Sequence, residues 1–303
     1  MQDLRYGENP HQAAAFYKDV NANHGLFNMK QLHGKELSFN NLLDLEVAIH
    51  FVKDFENPTA VIIKHNNPTG IAQDKTLSAA YNQAWRCDTL AAFGGIIGLN
   101  RRVDKTTAQT IVKSGFMECI VAPGYDKEAQ GLLSQKKNLR LMEFNFEGFK
   151  NDTYDFKKVS GGLLLQDKDT KTINPHEWKI VTKIKPTKSQ LQSAEFGWQA
   201  IRHVKSNAVI LVKGTKTIGI GCGQTSRVDS AMTAIRKAGK NAKNSILISD
   251  AFLPKTDTVT LAAKSGVKMI VQTGGSIEDA KVIKAADKAK MAMLMTGTRH
   301  FKH

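Results

Sequence analysis

Short apolar runs alternate with segments whose apolar residues step by three and four. The run TAVIIKH at 59–65 is β-branched and reads as a strand. The NNPTG that follows at 66–70 reads as a turn or loop. Residues 77–87 have helical spacing, GIIGLN at 95–100 reads as a strand, and Asp104 is placed to cap the next helix. ECIVA at 118–122 is a strand of buried type, followed by a helix over 126–137 and a strand over 139–142. Residues 143–158 are charged and aperiodic, which predicts an exposed connection, and SGGLLLQ at 160–166 resumes a strand.

The second half repeats this logic. Leu191, Ala194, Trp198 and Ile201 step by three and four, so 187–204 is predicted helical. Residues 208–212 and 217–221 on either side of Gly214 read as a hairpin, 229–240 as a helix, and 245–249, 269–272 and 291–295 as strands with helices between them. This pattern predicts an α/β chain with sheets covered on both faces. It divides near 175–185 into units 1–180 and 181–303. No residue-level repeat is evident, so duplication rests on the alternation alone.

Several strands end in polar or glycine-rich sequence: Lys64-His65, Ser249-Asp250, QTGGS at 272–276 and TGTRH at 296–300. In open α/β sheets ligands gather at such strand ends, so a polar site is expected there. A histidine beside a lysine at a strand end offers a general base and an oxyanion stabiliser; the more ordinary reading is a structural histidine beside a solvated lysine.

Composition narrows the chemistry. The 303 residues carry 43 basic against 28 acidic side chains, a formal net charge of +15, which draws anionic partners. Nucleic acid is one candidate, but no zinc finger or RNP-like motif accompanies the charge. No apolar run is long enough to span a membrane, and the first residues lack a signal-peptide core, so a cytoplasmic protein is expected. Cys87, Cys119 and Cys222 are odd in number and far apart, which argues against a disulfide framework. The glycines at 219, 221 and 223 are spaced G-x-G-x-G rather than G-x-G-x-x-G, and no P-loop string occurs. The histidines have no H-E-x-x-H or C-x-x-C company, and the zinc-deaminase signature is absent, so no catalytic metal is expected.

Eleven strings, in order, carry a resemblance: LRYGENPHQ (4–12), QLHGKELS (31–38), IKHNNPTG (63–70), AFGGI (92–96), IVAPGYD (120–126), SGG (160–162), VKSNA (204–208), IGIGCGQTSRVD (218–229), SDAF (249–252), GGS (274–276) and TGTRHFKH (296–303). In them the sequence resembles the transformylase portion of the bifunctional purine-synthesis enzymes that also carry inosine monophosphate (IMP) cyclohydrolase. The cyclohydrolase portion has no counterpart here. The resemblance implies two cytidine-deaminase-like α/β/α units and formyl transfer from the co-substrate 10-formyltetrahydrofolate to the amine of 5-aminoimidazole-4-carboxamide ribonucleotide (AICAR). It also implies a homodimer with shared active sites and a structural potassium ion near the loop after Asp250; with the cyclohydrolase portion lacking, a separate cyclohydrolase is a candidate functional partner.

By the same resemblance Lys64 and His65 are the catalytic pair, with Asn207 and His303 beside them. Arg5, Tyr6, Gly94, Glu118 and Arg299 contact the nucleotide. Arg227, Phe252, Pro254 and Asp257 lie on the folate side. Departures are Thr69 where many relatives have cysteine, Ala91 where many have serine, and Leu253-Pro254-Lys255 in place of a more aromatic run. A nucleic-acid module and a catalytically silent purine or folate sensor are the rival readings.

Overall fold

The computed structural model describes residues 1–149, 152–171 and 173–303. A short hairpin opens the chain, β1 (Gln2–Leu4) with β2 (Ala14–Phe16). Then follow β3 (Lys30–His33), α1 (Phe39–Lys53), β4 (Thr59–Lys64), β5 (Asn67–Gln73), α2 (Leu77–Trp85), α3 (Thr89–Ala92), β6 (Ile96–Leu99), α4 (Lys105–Lys113), β7 (Cys119–Ala122), α5 (Lys127–Leu133) and β8 (Arg140–Glu143). A hairpin of β9 (Tyr154–Val159) and β10 (Gly162–Asp167) stands apart from the main sheet. The series then recurs as β11 (Lys179–Ile180), α6 (Lys188–Ile201), β12 (Val209–Lys213), β13 (Lys216–Gly221), α7 (Arg227–Ala238), β14 (Ile246–Ser249), α8 (Asp257–Lys264), β15 (Met269–Gln272), α9 (Asp279–Lys288) and β16 (Ala292–Met295). The fold is α/β, as the alternation predicts.

Twelve strands form one sheet in the order β11-β16-β15-β14-β12-β13-β5-β4-β6-β7-β8-β3. Read inward from either edge, the order is the same. An antiparallel edge strand comes first, then three parallel strands, then an antiparallel hairpin, and the two hairpins meet where Lys216 of β13 pairs with Ala72 of β5. Local chemistry recurs at a constant spacing. Ser38 and Thr187 each close a capping box on their helix, α1 and α6. Gly70 and Gly219 let α2 and α7 lie against the sheet: a Cβ on either would sit 2.0 and 2.1 Å from the carbonyls of Ala84 and Ala234.

Alternate strand residues feed opposite faces. Val61, Ile63, Ile210 and Ile248 pack under α1 and α6 on one side. Ile62 and Ile97 pack under α2, α4 and α5 on the other, with Leu211 and Ile270 under α7, α8 and α9. Both faces are thus covered.

Three readings need correction. The turn after β4 is only His65-Asn66, and the NNPTG string is largely strand. Pro68 fits because the pairing shifts register between Ile62 and Ile63. The connection expected over 143–158 contains the first strand of an exposed hairpin from Tyr154; residues 150 and 151 within it lie outside the described residues. The strand expected over 160–166 is the return arm of that hairpin, not a strand of the main sheet.

The ends of α1 and α6 are joined by Asp54, whose carboxylate accepts from the Arg202 guanidinium and, at 2.6 Å, from His203 Nε2. Burial opposes ionisation of Asp54, but the His203 hydrogen bond and the two cationic partners outweigh it and hold the carboxyl at about 2. Burial pushes His203 down to about 4 against the pull of Asp54. Between pH 6.5 and about 4 the unfolded chain therefore binds a proton at His203 that the folded chain refuses, so stability falls as pH falls through that window. Below pH 3.8 the Asp54 contribution is lost as well. Thermal melts should show a loss on the order of 2–3 kcal/mol across the histidine window. His203→Phe, which keeps the ring stacked on Phe51, should flatten it; equal slopes in parent and variant would refute this assignment.

Candidate functional site

Strand register gathers the polar strand ends on one rim of the sheet. Ile63 pairs with Ile96, Ile96 with Cys119, and Cys119 with Arg140. The β4 tip is therefore level with Gly94, Glu118 and the start of β8. In the other half Val209 pairs with both Gly221 and Ser249, so Asn207 lies beside Asp250 and the end of β13. The antiparallel contact of β5 with β13 puts these two sets at the same end of the sheet. Lys205 ties them together: its N–H donates to Asn67 Oδ1 at 3.2 Å and its carbonyl accepts from Gly223 at 2.8 Å.

Lys64 and His65 sit on the tip of the β4–β5 hairpin. His65 and Asn66 both have left-handed backbones, φ 53° and 60°, as a two-residue hairpin turn requires. Neither is glycine, and a left-handed non-glycine residue costs about 1–3 kcal/mol. Asp44 of α1 meets the turn, accepting the Asn66 N–H at 2.6 Å. The Lys64 ammonium donates to the carbonyl of Phe93 at 2.8 Å, next to Gly94, while the His65 ring is exposed. A pocket of about 300 Å³ is lined by Glu8, Asn40, Leu43, Asp44, His65 and Asn66. The N-terminal segment with Arg5 and Tyr6 docks at its edge through Tyr6 O to Phe39 N–H, 3.3 Å, and Asn40 to Glu8 O, 3.1 Å. The Arg5 guanidinium lies 5.2 Å from the Tyr6 ring.

Glu118 receives Arg140 Nη1 at 2.6 Å, and Arg140 Nε also holds the carbonyls of Lys35 and Glu36. Arg140 is buried and the Glu118 side chain partly exposed, so the arginine fixes a carboxylate that still faces outward. The sequence reading missed Arg140. It lies inside the strand predicted over 139–142, and the sequence does not disclose its partner Glu118.

Asn207 is clamped. Its Nδ2 donates to the carbonyls of Gln224 and Thr225 at 3.0 and 3.2 Å, and its Oδ1 accepts from Arg227 Nη1 at 3.0 Å. Both amide hydrogens are spent, so only an acceptor lone pair remains for a ligand. Arg227 is itself buried, with Nε on Ser249 and Nη2 on Asp250. Burial pushes the Asp250 carboxyl up, against the pull of Arg227, and pushes Arg227 down.

The C-terminal segment lies alongside. Ser206 N–H donates to Lys302 O at 2.9 Å and Lys302 N–H returns to Ser206 Oγ at 3.2 Å. Arg299 stands 4.4 Å from the Phe301 ring, and Arg227 stands 6.0 Å from it. Burial, with neighbouring Lys205, presses the Lys302 ammonium down to about 8. The His303 ring packs on Phe301; among the described residues no hydrogen bond joins it to Lys64 or His65. Phe252 and Pro254 are exposed between β14 and α8, anchored by buried Leu253, and Asp257 is exposed at the first position of α8.

Two glycine strings have structural roles, one in close packing and one in a turn held by a carboxylate. A Cβ on Gly221 would sit 1.9 Å from the Ser230 carbonyl. The amides of Gly275 and Ser276 are taken by Asp279. Among the described residues no group of three or more His, Cys, Asp or Glu is placed to hold a metal. No helix among them is long and apolar enough to cross a membrane.

Residues 1–237 match the family described as AICARFT/IMPCHase bienzyme. The chain is similar over its whole length to proteins described as bifunctional purine biosynthesis protein PurH. It is 47 % identical over 302 residues to that of Thermoanaerobacter sp. (strain X514). It is 46 % identical over 303 residues to those of Halalkalibacterium halodurans and Bacillus cereus (strain AH820). It spans 59 % of the length of each of these relatives.

Proposed function

This chain belongs to the AICARFT/IMPCHase bienzyme family, and on that premise we propose that it transfers the formyl group of 10-formyltetrahydrofolate to the 5-amino group of AICAR. The observation that carries the reading is the meeting on one rim of half-buried Lys64 and exposed His65 with an Asn207 amide whose one remaining valence is an acceptor. An amine whose lone pair is delocalised towards a carboxamide needs a base as it attacks the formyl carbon, and His65 is the proposed base. Lys64 stabilises the tetrahedral oxyanion or protonates the departing folate nitrogen. Asn207 accepts an N–H of the same amine and orients its remaining lone pair towards the formyl carbon. His303 is proposed to close on the pair from the C-terminal segment.

Arg5, Tyr6 and Arg299 are proposed to hold the nucleotide, with arginine forks on phosphate oxygens, and Gly94 and Glu118 to line its ribose and base. Phe252 offers a ring face to the folate, with Pro254 and Asp257 beside it. Arg227 is assigned the folate side by resemblance, yet all three kinds of its nitrogen are already engaged, which favours an indirect role through Asn207. Arg227, Ser206 and the Ala208 amide take three of the acceptor positions of the Asp250 carboxylate, and no step is assigned to the potassium ion.

We further read residues 1–180 and 181–303 as two cytidine-deaminase-like units, which the mirrored strand order favours. A cytoplasmic homodimer with sites completed across its interface remains part of the proposal, as does a separate cyclohydrolase partner.

The test is the folate absorbance change when the chain meets AICAR and 10-formyltetrahydrofolate, with chromatography of the products. Formyl-AICAR and tetrahydrofolate should appear, and IMP should not. Binding of AICAR without turnover would favour the sensor; salt-sensitive binding to nucleic acid without a folate requirement would favour the module.

A further inference from the structure

We propose that Asp44 is a positioning residue for the formyl transfer proposed above: its carboxylate holds the His65–Asn66 turn in the left-handed conformation that presents Lys64 and His65 to the rim.

The internal repeat supplies the control. The hairpin β12–β13 in the second half matches β4–β5, with Lys213 standing where Lys64 stands. Its tip begins with Gly214, at φ 58°, with open space around its Cβ position. Glycine adopts that backbone freely. The first hairpin puts histidine at the same place and asparagine after it, both left-handed. In α6 the residue matching Asp44 is Ser193, whose hydroxyl is spent on Ser189 O within its own helix and takes no part in the turn. The carboxylate therefore accompanies the strained turn and is missing where the turn is relaxed.

The contact is direct. Asp44 Oδ1 accepts the Asn66 N–H at 2.6 Å, and the neighbouring His65 amide also favours the ionised carboxylate. Successive N–H groups of such a turn form a concavity that favours an anion. Burial pushes the Asp44 carboxyl up, while these backbone amides and the neighbouring His65 and Lys205 side chains act against that rise. Asp44 also lines the pocket shared with Glu8, Asn40, Leu43, His65 and Asn66, so a shift of the turn moves the catalytic pair relative to that pocket.

Three variants test the role: Asp44→Ala, Asp44→Asn and the double Asp44→Ala/Asn66→Gly. Asp44→Ala should lower kcat by about 10²-fold, the cost of a displaced catalytic group, with AICAR affinity largely unchanged. Asp44→Asn retains an acceptor for the Asn66 N–H and should stay near the parent. The double variant should regain most of the lost kcat, because glycine at 66 needs no support to remain left-handed. Amide hydrogen exchange at Asn66 should quicken in Asp44→Ala and not in Asp44→Asn. An unchanged kcat in Asp44→Ala, an Asp44→Asn as impaired as the alanine variant, or no rescue by Asn66→Gly would overturn the proposal. If the parent showed no formyl transfer the functional reading would fall, while the exchange contrast would still decide whether Asp44 holds the turn.

Discussion

Replacing His65 or Lys64 with alanine will lower formyl transfer by about 10²-fold or more while leaving AICAR binding largely intact. His65 is exposed at the hairpin tip, and Lys64 touches the protein through one hydrogen bond to Phe93 O, so neither side chain carries the core. The loss should fall on kcat, since the base and the oxyanion partner act most strongly where charge develops. A tighter check is single-turnover kinetics with saturating nucleotide, paired with calorimetric binding of AICAR. A variant that loses affinity in step with turnover would make its residue a binding group; one that keeps near-parent turnover has no catalytic part at all. His65→Ala also leaves a left-handed non-glycine residue at 65, so its fold should match the parent and the comparison stays clean.

The sequence disclosed most of the strands, because buried β-branched runs are hard to disguise. It disclosed the helix starts at Asp104 and Thr187, where a capping side chain stands, but not that of α1, although Ser38 closes a capping box there. It misled at 66–70 because Asn-Asn-Pro-Thr-Gly is turn chemistry by composition. Only the bulge at Ile62/Ile63 lets Pro68 lie in a strand there. The repeat showed only as an alternation of elements because, beyond matches such as Gly70 with Gly219, equivalent positions often keep roles rather than identities. Asn100 and Asp250 each accept the amide at the start of a matching hairpin, from Thr59 and Ala208, yet one is an amide and the other a carboxylate. Lys64, His65 and Asn207 could be named as candidates from the chain alone, since they sit at strand ends in recognisable strings. Asp44 and Arg140 could not. One is a polar residue inside a helix and the other opens a buried strand, and each acquires meaning only from the partner that folding brings to it, Asn66 or Glu118.

Removing Arg227 will cost more stability than any other single change at the site. Asp250 is fully buried, and Arg227 supplies its only cation by direct contact among the described residues, at 2.7 Å. Each partner is shifted in the direction burial alone dictates, the carboxyl up and the guanidinium down, so their attraction does not fully offset the cost of taking both from water. Such a pair contributes placement more than stability. Arg227→Met strands a buried carboxylate and should lose about 3–5 kcal/mol of stability in denaturant titrations. The sign with pH follows from the raised Asp250 carboxyl. Its folded form keeps a proton the unfolded chain gives up above pH 3.8, so stability at this site falls as pH rises, and Arg227→Met should recover part of its loss on acidification. That is opposite in sign to the Asp54–His203 contact, which weakens in acid. Adding Asp250→Asn removes the stranded charge and should restore part of the stability at neutral pH. Turnover should stay low in the double variant, because Asn207 Oδ1 has lost the donor that fixes the amide. A single variant as stable as the parent would mean that Asp250 is not charged behind Arg227. Recovery of turnover in the double variant would mean that the Asn207 clamp is dispensable.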